Sequence, residues 1–149
     1  MPATKTKVGI RRARGSDAAA IAELSGQLGY PTAVEEMRGR LRNVLKDRES
    51  ACFVAVDAFG KVIGWIHVSV TPLLEVERRA EVNGLVVDQR VRSLGAGAML
   101  LAAGESWARR RRSTTMSVRS NVLRRRAHGF YLQNGYEHYK TQKAFRKTL

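Results

Sequence analysis

Apolar positions recur along this chain with two periods, and the switches between them predict its elements. Val8 to Arg14 reads as a short strand with polar flanks. Ser16 and Asp17 then offer N-cap oxygens, and Ile21, Leu24 and Leu28 follow at helical spacing until Gly29, Tyr30 and Pro31 stop the helix. Val34, Met37, Leu41, Val44 and Leu45 fall at i, i+3, i+7, i+10 and i+11, one apolar face of a second helix. Ala51 to Val56 is apolar and rich in strand formers, Asp57 to Gly60 makes a turn, and Lys61 to Val70 places Val62, Ile66, Val68 and Val70 on alternate positions. These two segments predict a β-hairpin, which Pro72 ends. Arg79 to Val87 is a further strand, and Gly84 in its interior predicts a bulge or a close backbone approach.

After Asp88 the pattern changes. A polar, Gly-containing stretch leads into a helix over Ala98 to Arg112, with Met99, Leu100, Ala103 and Trp107 turned toward a core. Thr114 to Val118 is strand-prone. Leu123, Ala127, Phe130 and Tyr131 mark a short helix stopped at Asn134–Gly135, and Tyr136 to Arg146 can supply one or two last strands. The order β-α-α-β-β-β-α-β-α-β predicts an α/β (α+β) fold: one mixed sheet with helices on its faces, in a single domain over residues 1–149.

Composition narrows the function classes. A 44% hydrophobic content excludes a disordered chain. Cys52 is the only cysteine, so an intrachain disulfide is excluded, and His67, His128 and His138 lack metal-ligand spacing, so no metal is expected. No apolar run approaches the ~20 residues of a membrane span. The opening MPATKTKVGI has no apolar segment of secretory length, and the expected compartment is the cytoplasm.

Charge changes the picture most. The 27 Lys and Arg against 13 Asp and Glu leave a net +14. Residues 1–75 carry a net +3 and residues 76–149 a net +11, with runs at Arg109 to Arg112 and Arg124 to Arg126. An anionic partner is implied: nucleic acid, a membrane surface or a phosphorylated small molecule. The plainer reading of each run is a solvated helix C-terminus favoured by the dipole.

Leu85 to Gly97, LVVDQRVRSLGAG, is a strand, a turn with two glycines and a helix start. A helix N-terminus offers unpaired N–H groups and the positive end of the dipole, which together bind phosphate. Gly95 and Gly97 let the backbone approach closely, and Arg92 adds charge. The dinucleotide fingerprint fails because its third small position is Leu100, and the Walker loop fails because Gly-Lys-Ser/Thr is absent. What remains, Arg-x-x-Gly-x-Gly, is also compatible with a plain strand-to-helix turn.

Three segments in the right order resemble one family. Leu85 to Gly97 matches an apolar-x-Val strand end followed by Arg/Gln-x-x-Gly-x-Gly/Ala. Ser120, Asn121, Ala127, Phe130, Tyr131, Asn134, Gly135 and Tyr136 fit a downstream S-N to F-Y to G-[FY] region. The opening IRRARGSDAAAIAEL fits a first strand and helix. On these motifs the chain resembles the GNAT superfamily of acyl-CoA-dependent N-acetyltransferases.

That resemblance implies a GNAT fold, with about six to seven strands flanked by about four helices, and acetyl-CoA as cosubstrate. Its pyrophosphate would sit on the turn made by Arg92, Ser93, Leu94, Gly95, Ala96, Gly97 and Ala98. Its pantetheine arm would pair with the strand edge at Leu85, Val86 and Val87, left open by the splaying strand near Thr114 to Val118. Asn121 matches a position that contacts the pantetheine or phosphate region. Glu81 matches a general base and Tyr131 the acid that protonates the leaving sulfur. The alternatives are an exposed or ion-paired glutamate and a packing tyrosine. An amide near Leu85 or Val86 would polarise the thioester carbonyl.

Asn83, Tyr30 and Glu35 are candidate acceptor contacts. Glu35 and Glu36 can instead simply favour a helix N-terminus. Trp65 can line an acceptor pocket or pack, and His67 reads as an ordinary strand histidine. Cys52, in a buried strand, is expected to be inert. The implied reaction is direct transfer to a primary amine of a small molecule or protein, with a homodimer as the family's default. A polycationic acceptor would need a local acidic pocket from Glu35, Glu36, Glu75, Glu77 and Glu81. The competing reading is a basic nucleic-acid-associated protein on the same scaffold. The Arg runs lack interleaved aromatics, which leaves only salt-sensitive, sequence-independent binding.

Overall fold

The computed structural model describes residues 7–120 and 122–149, with all of their side chains except those of Arg92 and Ser93. Five strands occur among the described residues: β1 (Gly9–Arg12), β2 (Ser50–Val56), β3 (Val62–Thr71), β4 (Arg79–Val87) and β5 (Met116–Val118). They form one sheet in the order β1-β2-β3-β4-β5, antiparallel except for the parallel β4–β5 pair. The helices are α1 (Ala18–Gln27), α2 (Val34–Lys46), α3 (Ala96–Arg110) and α4 (Arg125–Gln133), with short 3-10 turns at Gly15–Asp17 and Gln89–Leu94. Two compact units result, one ending at Val118 and the other comprising Arg119–Leu149.

In the first unit both faces of the sheet are covered. Helices α1 and α2 pack on one face, where Ile21, Leu24 and Leu41 meet Cys52, Val54, Trp65 and Val86. Helix α3 packs on the other, with Leu100, Leu101 and Trp107 fully buried and its Gly104 against Ile66 and Val68. Double coverage explains why β3 is buried almost continuously rather than at alternate positions. The hairpin turn forms as expected, with Asp57 accepting from the amides of Phe59 and Lys61 at 2.9 Å each. Helix α3 starts two residues earlier than the spacing predicted, and Met99 faces outward while Leu101 takes the core position.

Asp17 does not cap α1 through its side chain. Its carboxylate turns back, accepting from the Arg14 amide at 2.7 Å and from both terminal nitrogens of Arg11 at 2.8 and 2.9 Å. The Arg11 guanidinium holds this buried carboxyl below its ordinary range against the opposing effect of burial. Removing it leaves an amide and a half-buried cation unpaired. Asp17→Ala is therefore expected to lower stability by about 2 to 3 kcal/mol in urea titrations at neutral pH.

In the second unit, α4 carries Ala127, Phe130 and Tyr131 as expected, but Leu123 precedes it and is exposed. No strand forms in residues 136–146, and the sheet has five strands among the described residues rather than six to seven. Strand propensity alone does not make a strand. The backbone groups also need a ladder partner.

Candidate functional site

The bulge that Gly84 predicted is present and sits one residue earlier. His67 pairs with Gly84 and Val68 with Val82, so Asn83 is the extra residue on β4. Gly84 also provides the close approach: a Cβ there would lie 2.7 Å from the Trp65 ring. Strand β5 pairs with β4 only from Ala80 to Val82. Beyond the bulge, β5 gives Leu85, Val86 and Val87 no ladder on that side, and this edge runs straight into the turn.

The turn is built to stay in place. Asp88, buried at the end of β4, accepts from the Arg90 amide at 3.0 Å and from the Arg90 guanidinium at 3.1 and 2.9 Å. Gln27, at the end of α1, accepts from the Gln89 amide at 3.0 Å. Gln89–Leu94 forms the 3-10 turn, to which Arg92 and Ser93 contribute backbone. Gly95 follows in the left-handed region at φ 78°, where other residues are strained, and serves as the N-cap of α3. The first amide to be accepted within the helix is that of Met99, by the Gly95 carbonyl at 3.2 Å. The amides of Ala96, Gly97 and Ala98 therefore have no intrahelical acceptor and sit at the positive end of a 15-residue helix.

Hydrogen bonds from Arg90 hold the Asp88 carboxyl at about 2. A carboxylate lowered in the fold stabilises fully above its ordinary pKa near 4, and the contribution disappears as pH falls through about 2. Asp88→Asn is expected to cost about 1 to 2 kcal/mol at pH 7, discounted for the exposed guanidinium. Denaturant titrations should show that gap closing only between about pH 4 and pH 2.

The other candidates lie as follows. Glu81 is half-buried on β4, in register with Ser69 and Ser117. Asn83 donates its amide to the Ser69 hydroxyl at 2.7 Å, a partner with no signal along the chain. His67 lies on β3 with a buried, unpartnered Nε2 among the described residues, and burial lowers its pKa, which favours the neutral ring. Burial pushes the Cys52 thiol up to about 12, which makes it inert. Tyr30 is exposed after α1. Glu35 and Glu36 open α2, each within ion-pair distance of an exposed arginine one turn on, Arg38 and Arg40 respectively.

In the second unit Tyr131 packs edge-on against Phe130 at 5.2 Å and Tyr136 at 5.7 Å between ring centroids. Burial raises its phenol pKa, with Arg124 opposing, so the hydroxyl holds its proton at neutral pH. Asn121 lies outside the described residues.

Residues 19–136 match the Acetyltransferase (GNAT) family. An uncharacterised N-acetyltransferase, YhfO of Bacillus subtilis, is 32% identical, with 86% of this chain and 89% of the relative covered. An aminoglycoside N(6')-acetyltransferase type 1 of Stenotrophomonas maltophilia is 29% identical over 94% of this chain and 93% of its own. Among solved structures, an aminoglycoside N-acetyltransferase in complex with CoA superposes with a TM-score of 0.87 at 17% identity, covering 100% of both chains. This last likeness is one of fold.

Proposed function

The chain belongs to the GNAT acetyltransferase family, and from that premise we propose that it moves the acetyl group of acetyl-CoA to a primary amine by direct attack. The observation that carries this reading is the open edge of β4 running through a glycine-locked turn onto the N-terminal amides of α3. Amides of Gly95 to Ala98 suit a pyrophosphate, and the edge at Leu85 to Val87 suits an amide-bearing arm laid down as an added strand. An amide near Leu85 or Val86 would stabilise the oxyanion.

The amine nitrogen attacks the thioester carbonyl, the C–S bond breaks, and two protons move. Glu81, directly or through water, takes the proton from the amine. Tyr131, whose phenol stays protonated, gives one to the departing thiolate. Asn83 and Tyr30 are acceptor contacts in this reading. The net charge of +14 weighs against a polycationic acceptor and favours one bearing a single amine.

The test is a free-thiol assay with acetyl-CoA and a panel of aminoglycosides, polyamines, amino-acid amines and peptides bearing terminal or lysine amines. Thiol release that requires one class of amine is the expected result. Release no faster than acetyl-CoA hydrolysis with every amine would overturn the reading.

A further inference from the structure

The arginine run at the end of α3 is not at the phosphate turn. A 15-residue helix is about 22 Å long, so Arg109 to Arg112 sit at the opposite end of the sheet from Gly95. Two features meet them there. Arg78, just before β4, donates to the Arg111 carbonyl at 3.0 Å and pairs with Glu49, just before β2. Three residues before Glu49, α2 ends at Lys46, and its exposed Arg38, Arg42 and Lys46 line an open groove of about 460 Å3 against Gly15 and Ser16. Cationic side chains thus continue from the α2 face, around the end of the sheet, to the α3 face. Arg42, Lys46, Arg109, Arg110 and Arg112 have no acidic partner among the described residues. Asp47, exposed at the end of α2, accepts from the Glu49 amide and the Ser50 hydroxyl. Like charges at i and i+4 on α2 repel one another, a cost that a bound polyanion relieves.

Arg112 supplies a second, independent observation. It closes α3 as the left-handed residue of a Schellman stop, with its own amide on the Arg109 carbonyl and the Ser113 amide on the Ala108 carbonyl, both at 3.0 Å. That position favours glycine, yet a φ of 63° is imposed on an arginine, the only non-glycine residue at positive φ among those described. The cation is held there in a disfavoured backbone conformation, and such conformations cluster at ligand-binding surfaces.

We propose that this track binds the phosphodiester backbone of a single-stranded nucleic acid, without sequence preference. The cations lie on both faces of the sheet and around its end, which a flexible strand can follow. A planar anionic membrane can meet only one side, and a stiff duplex cannot wrap so short a path. Guanidinium groups suit phosphate oxygens, and the track presents no aromatic side chain for base stacking. The proposal stands independently of acetyl transfer.

The test is fluorescence anisotropy with a labelled 20-nucleotide single strand. Four to six phosphate contacts predict that binding weakens roughly 100-fold between 50 and 200 mM salt. Neutralising Arg42 and Lys46 to Gln, or Arg109 and Arg110 to Gln, should each lower the salt slope by about 1.4. The charge-matched control replaces Lys7 and Lys61 by Gln at the other end of the sheet and should leave the slope unchanged. Arg112→Gly should weaken strand binding while raising the melting temperature by about 3 °C, opposite movements that a purely structural residue would not give. No binding at 50 mM salt would overturn the proposal. So would equal effects of control and track variants, or tighter binding to phosphatidylserine vesicles than to the strand.

Discussion

Tyr131→Phe is expected to lower turnover by about 100-fold, the smaller end of the range for losing a positioned proton donor. The exchange removes one oxygen and leaves the ring, so the edge-on contacts with Phe130 and Tyr136 persist and α4 keeps its packing. Acetyl-CoA should protect the variant against heat as well as it protects the parent, because no hydroxyl is needed to bind phosphate. The chemistry fails at the leaving group: a thiolate expelled without a proton is better placed to re-attack the carbonyl. With the phenol pKa raised by burial, the parent's pH profile should stay flat on its acid-donating limb through pH 9. Stopped-flow thiol release at saturating substrates measures the effect. Unchanged turnover would return Tyr131 to packing.

Gly97→Trp should abolish the stabilisation that acetyl-CoA gives. At a ligand concentration 100 times Kd, the parent gains about 2.7 kcal/mol, or roughly 5 to 10 °C in melting temperature. An indole in the first turn of α3 stands in front of the amides of Ala96 to Ala98 and occupies the space a pyrophosphate needs. Tryptophan has a better helix propensity than glycine, so α3 itself is not weakened by the exchange, and the unliganded melting temperature is read alongside as the control. A thermal shift at millimolar acetyl-CoA reads the outcome directly. If the parent shows no shift, the turn is not a phosphate site. If the variant keeps the full shift, the phosphates bind elsewhere.

Much of the architecture was legible because it is set by neighbours along the chain. Strand β4 runs from Arg79 to Val87 as its pattern predicted, and the hairpin turn follows from Asp57 and Gly60 alone. The strand–turn–helix at Leu85 to Gly97 could be read from where glycines stand relative to apolar runs. Other features had no local signal. Gln27 secures the turn from 62 residues away, and Ser69 reaches Asn83 across the β3–β4 ladder. That Asn83 rather than Gly84 is the extra residue depends on register, which pairing sets. The missing strands at 136–146 failed for the same reason: alternation states a preference, and a ladder requires a second strand.

The surplus charge divides along this line. The sequence by itself determined that the second half of the chain carries +11 and that a glycine turn could take one anion. It also determined the element order, since hydrophobic period, capping and φ requirements act over a few residues. Only the tertiary structure decided where the charge stands. Helix α3 carries Arg109 to Arg112 to the end of the sheet remote from Gly95, and the Arg78 contact with Arg111 joins them to the end of α2. Composition records how many cations a chain has; their separation from the glycine turn follows from the length and direction of a packed helix.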